Sequence, residues 1–251
     1  MQEKFKLTLC CPKPRKDFAF GKGDHSDNEL DIMKEYLKEA KGDIVVFPEG
    51  FLIDHHLEEA VSLVKEYGKW VVAGGQDSGE RQSLYTLVID PEKGVIYKHL
   101  KTALTIADRN MNCEEGKEIG AVDTPYGKIG TILCYEMHFP EVGRICAIEG
   151  AKLLVNTIGT GMWHEQQYDE WTTIAKARAI ENRCFVVGCT HYCDPIPLMF
   201  AYDPHGRILG LSRNREGLMD VDIDYGLIDE RDFMRDRNPL AYEKLCKEEI
   251  R

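Results

Sequence analysis

The chain has 251 residues, 43% of them hydrophobic, with 32 Lys and Arg against 43 Asp and Glu for a formal net charge of −11. That length and apolar content allow a sizeable core in one domain and exclude a collagenous, disordered or disulfide-scaffold chain. The acidic balance argues against a nucleic-acid partner, which needs a basic face to displace phosphate counterions. No run approaches the ~18 consecutive apolar residues of a membrane span.

The opening MQEKFKLTLCCPKPRKD lacks a long apolar segment with a small-residue cleavage site, so the expected location is the cytoplasm. The nine cysteines have no secreted-framework spacing and read as reduced thiols. Cys189, His191 and Cys193 lie close in sequence, but a zinc site wants four ligands and no second pair follows at finger spacing. No metal site is expected.

In chain order, Lys4 to Leu9 alternates as a short strand, and Pro12 to Asp27 is polar with Pro and Gly, as in a surface loop. Ser26 to Glu29 has capping-box spacing ahead of a helix whose apolar face is Leu30, Met33, Leu37 and Ala40. Asp43 to Pro48, DIVVFP, is a continuous apolar strand of the kind buried on both faces. Glu49 ends it, followed by Gly50, and reads either as a turn residue or as a site residue. A second amphipathic helix covers Leu57 to Tyr67, and a third strand covers Trp70 to Gly74. Leu84 to Asp90 and Val95 to Leu100 then form a hairpin about Pro91 to Gly94, which delivers Lys101 to its far end, where taken alone it reads as a solvated surface lysine.

Ala103 to Gly120 is irregular and longer than a simple connection requires, which marks it as functional or mobile. The next stretch, Gly130 to Glu141, reads GTILCYEMHFPE. Its apolar part is a buried strand, and Phe139-Pro140-Glu141 begins a helix with Pro in the first turn. Cys134 stands between them, either as a small core hydrophobe or as a thiol near a helix N-terminus, a position that lowers its pKa. A helix from Pro140 to about Glu149, a strand from Leu153 to Asn156, a helix from about Gln167 to Asn182, a strand from Phe185 to Cys189 and a hairpin from Phe200 to Leu209 complete the pattern.

Both halves thus run βαβαβ and then a hairpin, with Asp90-Pro-Glu-Lys-Gly-Val-Ile answering Asp203-Pro-His-Gly-Arg-Ile. Two sheets, each covered by helices on one face, bury most surface by placing their bare faces together. The expected fold class is α/β, a four-layer α-β-β-α sandwich with internal pseudo-two-fold order. It forms a single domain over residues 1–251, with 224–251 as a C-terminal tail. Strand ends of the two halves then meet at one rim, where Glu49, Lys101 and Cys134 converge.

An acid, an amine and a thiol have complementary roles in acyl transfer. Cys134 would be the nucleophile, Glu49 the general base and acid, and Lys101 the holder of the oxyanion, together with a backbone N–H near Cys134 or Tyr135. This chemistry calls for no metal and no organic cofactor.

These residues carry a family resemblance. FPEG at Glu49, HLKTAL at Lys101 and LCYEMHFPE at Cys134 stand in the order of the nitrilase superfamily of carbon–nitrogen hydrolases, which the chain resembles from about residue 5 to 223. KARAIENRCFVV, Lys176 to Val187, is similar to that family's helix and following strand. The resemblance implies an amidase-type hydrolase acting on a small-molecule amide through a cysteine thioester, in a homodimer or higher homo-oligomer. Nitrile or carbamoyl hydrolysis by the same triad, and a non-catalytic small-molecule-binding protein on the same fold, are the alternatives.

The chain also departs from the family. A second glutamate is common between the Lys and the Cys. Here Asp108 is the expected substitute, with Glu114 and Glu115 as other candidates. Pro197-Leu-Met199 replaces Gly-x-Ser, and Met137 or His138 stands where a basic residue is usual. Asp108, Tyr135, His138, Asn156 and Trp163 are the expected substrate-binding residues, with segments 103–120 and 190–200 lining the pocket. Glu136 reads as a structural acid, and His164 and His191 as satisfied structural histidines.

Overall fold

Runs of β-branched and aromatic residues set the strand positions of the computed structural model, which describes residues 2–16, 28–77, 79–193, 195–228 and 236–246. In the first half these are β1 (Lys4–Cys11), α1 (Glu29–Glu39), β2 (Ile44–Ile53), α2 (Leu57–Tyr67), β3 (Trp70–Gln76), β4 (Leu84–Asp90) and β5 (Gly94–Leu100). A short helix α3 (Ile106–Asn110) leads to the second half. There follow β6 (Ala121–Thr124), β7 (Gly127–Leu133), α4 (Pro140–Ile148), β8 (Ala151–Thr157), α5 (Glu165–Asn182), β9 (Phe185–Cys189), β10 (Leu198–Tyr202), β11 (Ile208–Arg213) and β12 (Gly217–Asp224).

The strands form two six-stranded sheets, ordered β12-β1-β2-β3-β4-β5 and β11-β10-β9-β8-β7-β6. Reading from β12 and from β6, each sheet has one antiparallel pair, two parallel pairs and two antiparallel pairs. The internal order expected from the sequence is therefore present strand for strand. Its first sheet is completed by β12, a strand the chain-order reading left without an element. Met219, Val221 and Ile223 alternate there with Asp220, Asp222 and Asp224, the period-2 pattern of a half-buried strand. Beyond it, Tyr225 is buried and donates a 2.7 Å hydrogen bond to the Tyr126 carbonyl.

Three apolar layers follow from this order. Leu9, Val46 and Val72 of the first sheet meet Leu153, Val155 and Val187 of the second between the sheets. Met33, Leu37, Ala60 and Val64 seal α1 and α2 onto the first sheet. Val142, Trp171, Ala175 and Ala179 seal α4 and α5 onto the second. The result is the α-β-β-α sandwich. Among the described residues no helix is long and apolar enough to cross a membrane.

Local departures from the sequence reading have clear causes. Ser26 lies outside the described residues. Asn28 caps α1, accepting from the Leu30 N–H, while Glu29 turns inward to His56 at 2.7 Å. Arg15, expected in a surface loop, is buried.

The strand read as ending at Pro48 continues to Ile53 through an irregularity. Its pairing with β3 jumps from Phe47↔Ala73 to Leu52↔Gly75, which bulges Pro48 to Phe51 out of register. Gly50 takes φ 68° within that bulge, a conformation that favours glycine. Gly74 faces it so closely that an added Cβ would lie 2.3 Å from Glu49 Cα. Gly74→Ala is therefore expected to destabilise the fold by about 1–3 kcal/mol, read as a lower urea midpoint with an unchanged m-value.

Candidate active site

The β2 bulge aims Glu49 inward, and three contacts fix its backbone. Gly74 packs against it, Arg15 donates to the Gly50 and Phe51 carbonyls at 3.0 and 3.2 Å, and His191 Nε2 sits 3.0 Å from the Glu49 carbonyl. Burial pushes the His191 imidazole down to about 3, so it acts as a neutral hydrogen-bonding group. It is a structural histidine, as is His164, whose Nδ1 accepts from the Gln167 N–H at the start of α5.

Lys101 follows β5 and is 1% exposed. Its ammonium lies 2.7 Å from Glu49 Oε1 and 2.9 Å from Asp108 Oδ2. Burial alone would push this amine down, but Glu49, Cys134 and Asp108 outweigh it and hold the amine above the ordinary lysine value. Asp108 is delivered by α3, the one helical turn inside the segment read as irregular. Its carboxylate accepts from the Thr105 N–H at 2.8 Å while Thr105 Oγ1 accepts from the Asp108 N–H, a reciprocal capping box. Asp108 thus meets the Lys101 ammonium from a capped helical turn.

Cys134 stands at the first position of a 3-10 turn, Cys134–His138, with φ 48°. A non-glycine residue there costs on the order of 1–3 kcal/mol and persists only where neighbours enforce it. The expectation of a thiol acidified by a helix N-terminus is corrected here, because α4 does not begin until Pro140. Burial and the hydrogen-bonded Glu49 carboxylate push the thiol up, with Lys101 and the Gly159 N–H pulling the other way.

Three residues enforce the turn. Asn156, expected to bind substrate, is instead fully buried behind the elbow. It donates to the Ile132 carbonyl at 2.9 Å and accepts from Trp171 Nε1 at 3.1 Å. Glu136 is also fully buried and accepts from His99 Nε2 at 2.8 Å, the Thr102 N–H at 2.6 Å, Thr102 Oγ1 at 2.7 Å and the Leu133 N–H at 2.7 Å. It ties the residue after Lys101 to the residue before Cys134. From α5, Arg178 adds a 3.1 Å bond to the Met137 carbonyl.

Glu49, Lys101, Asp108 and Cys134 share one cavity of about 270 Å³ with Tyr135, His138 and Trp163. Trp163 is 60% exposed, which places it at the mouth. Segment 190–200 is not in the described lining. That wall comes from Ile158 to Met162, which the sequence reading missed, and Ile196 braces it through paired backbone bonds to Met162 at 2.7 and 3.0 Å. Trp171 and Gln167 of α5 were also missed; their helical spacing resembled that of an ordinary sheet-covering face.

The Glu136 carboxyl is held below its ordinary 4.5 against its own burial by His99 and the Leu133 and Thr102 N–H groups. Its stabilisation is present above 4.5 and is lost as pH falls through the lower folded value. Glu136→Gln is expected to cost about 3–5 kcal/mol at neutral pH, and denaturant titrations should show the gap from the parent closing in acid.

A carbon-nitrogen hydrolase family model matches residues 26–232. The 2-oxoglutaramate amidase of Bacillus subtilis (strain 168) is 27% identical over 232 residues, covering 83% of this chain and 88% of that protein. An omega-amidase of Mus musculus is 26% identical over 202 residues, covering 72% of this chain and 70% of that protein. A crystal structure of a carbon-nitrogen hydrolase from Helicobacter pylori G27 shares the fold with a TM-score of 0.83 at 18% identity, over 98% of this chain and 100% of that one. With the family model spanning most of its length, the chain belongs to the carbon–nitrogen hydrolase family.

Proposed function

We propose that this amidase-type hydrolase cleaves the C–N bond of a small-molecule amide through Cys134, Glu49 and Lys101, with Asp108 positioning the lysine. The observation that carries the reading is the buried contact set at the cavity floor. Lys101 lies 2.7 Å from Glu49 and 2.9 Å from Asp108, and Glu49 is hydrogen-bonded to the Cys134 thiol.

Glu49 takes the thiol proton as the sulfur attacks the carbonyl carbon. The oxyanion is held by the Lys101 ammonium and a backbone N–H of the elbow. The tetrahedral adduct collapses as Glu49 gives the proton to the departing nitrogen, leaving a thioester and ammonia or an amine. Glu49 then activates water, which releases the carboxylic acid and restores the thiol. A thiol kept protonated at rest suits this sequence, because the proton moves only when an electrophile is in place.

The whole chain is proposed to act as one cytoplasmic unit, since β12 closes the first sheet from the far end of the sequence. Ile148 and Ile180, on α4 and α5, are exposed at 53% and 37% and support association into a homodimer.

Cys134→Ala is expected to lower ammonia release by at least ~10⁴-fold, and Glu49→Gln by ~10²–10⁴-fold. Intact-mass measurement should show acylation of the parent but not of Cys134→Ala; ammonia release by that variant at the parent rate would overturn the reading. Asp108→Asn should cost ~10²-fold in turnover by loosening Lys101, with a urea midpoint near that of the parent.

A further inference from the structure

His99 lies outside the described cavity lining, two residues before Lys101. It is 1% exposed and sits on β5. Side chains of a strand alternate in direction, so residues 99 and 101 share a face. The ladder to β4 runs through both, with His99 opposite Thr86 and the Lys101 N–H donating to the Leu84 carbonyl at 2.9 Å. His99 Nε2 lies 2.8 Å from Glu136 Oε2, while its Nδ1 is buried with no hydrogen-bond partner among the described residues. An unpaired buried polar atom is costly, so the Nε2 contact is what this ring contributes.

Through that contact Glu136 grips the lysine strand on both sides of Lys101. Its Oε2 takes His99, two residues before the lysine, and its Oε1 takes the Thr102 N–H and hydroxyl, one residue after it. The same Oε2 accepts from the Leu133 N–H, next to Cys134. The bonds of Lys101 to Leu84 and Gly116 fix its place in the first sheet; the Glu136 contacts fix that place against the nucleophile turn of the second. A strand end tied to its neighbour at one point can pivot about it, and a second tie stops the pivot. With Thr102 alone, a small swing would carry the Lys101 ammonium away from the thiol. Among the groups that hold the Glu136 carboxyl below its ordinary value, His99 acts most strongly.

We propose that His99 is a positioning residue which, through Glu136, holds the Lys101 ammonium in register with the Cys134 sulfur, an inference that rests on the amidase reading of those residues. The role belongs to one ring nitrogen. Glutamine places an amide N–H where Nε2 stands and keeps the contact. Asparagine places it where Nδ1 stands, with no acceptor in reach, and leaves Glu136 without its donor from inside β5.

The test compares full-length His99→Asn and His99→Gln with the parent, by ammonia release from propanamide and by alkylation of Cys134 with iodoacetamide at neutral pH, read from peptide masses. His99→Asn is expected to lower kcat ~10–100-fold with KM within ~2-fold. It should also slow Cys134 alkylation ~10-fold, because a displaced ammonium no longer supports the thiolate. His99→Gln should recover most of both. His99→Phe, which keeps the ring without the N–H, should follow His99→Asn and takes its place if that variant does not fold. In a Glu136→Gln background the asparagine and glutamine substitutions should differ by less than ~2-fold, since the carboxylate that carries the effect is gone. Equal kcat and equal alkylation with and without the donor, in a parent that releases ammonia, would overturn the inference and leave the amidase reading standing. No Cys134-dependent ammonia from the parent, with alkylation still separating the variants, would overturn that reading and support the placement of Lys101 by His99.

Discussion

A lysine ammonium buried between two carboxylates is the constraint around which this site is organised. An isolated charge at the depth of Lys101 costs several kcal/mol, and pairing offsets that cost only where geometry is tightly held. Each member of the cluster is therefore fixed by a different local device. Glu49 rides a bulge clamped by Gly74, Arg15 and His191. Asp108 is locked by its own capping box with Thr105. Lys101 emerges from a strand end whose next residue is bonded by Glu136 and whose carbonyl accepts from the Gly116 N–H at 2.7 Å. A Cβ on Gly116 would lie 2.2 Å from the Leu100 carbonyl oxygen, so glycine is required for that approach. A buried ion cluster is weak evidence for stability, and three separate clamps around one lysine point to chemistry as the reason it is kept.

The same cluster sets the resting state of the thiol. Low-pKa cysteines rely on helix dipoles or neighbouring cations to hold a thiolate in advance. Cys134 has a cation nearby, but burial and the hydrogen-bonded Glu49 carboxylate dominate, and α4 begins too far downstream to contribute. The Cys134 thiol is hydrogen-bonded to the Glu49 carboxyl and is held above its ordinary value. In the proposed mechanism, Lys101 opposes the charge that develops on sulfur and then on oxygen, which is where preorganised electrostatics act most strongly.

How much of this was legible in the sequence follows from the range of each interaction. Glu49 and Cys134 end apolar runs and Lys101 follows a hairpin, positions that each read locally as turn, core or surface as well. Their convergence at one rim and the family resemblance single them out, and Asp108 is reached only by the family's spacing. The helices and central strands are legible because their apolar spacing repeats within one element. The bulge was not, because DIVVFP reads the same whether or not the partner strand stays in register. The role of Asn156 was misread because its partners, Ile132 and Trp171, are 24 and 15 residues away. The MDVDID alternation of β12 was visible, but its partner β1 lies at the opposite end of the chain, so only the sheet gives that strand a place.

The internal repeat duplicates the scaffold and not the chemistry, which accounts for a site built from both halves. In the matched order β7 corresponds to β1, β2 to β8 and β5 to β11. By register against β2 and β8, Cys11 matches Leu133, so the counterpart of Cys134 is Pro12, which has no thiol. The counterpart of the Glu49 bulge is the end of β8, which keeps regular register with β9 through Thr157. The counterpart of Lys101 follows Arg213, which is spent on the surface in a 2.6 Å pair with Glu165. Thr157 instead bonds Thr86 across the sheets at 2.8 Å, serving the interface where β2 serves the site. One half supplies the acid and the amine and the other the thiol, so the groups can approach only after the two sheets have packed face to face. Burial, ion pairing and placement of the Cys134 thiol are thus consequences of a single packing event.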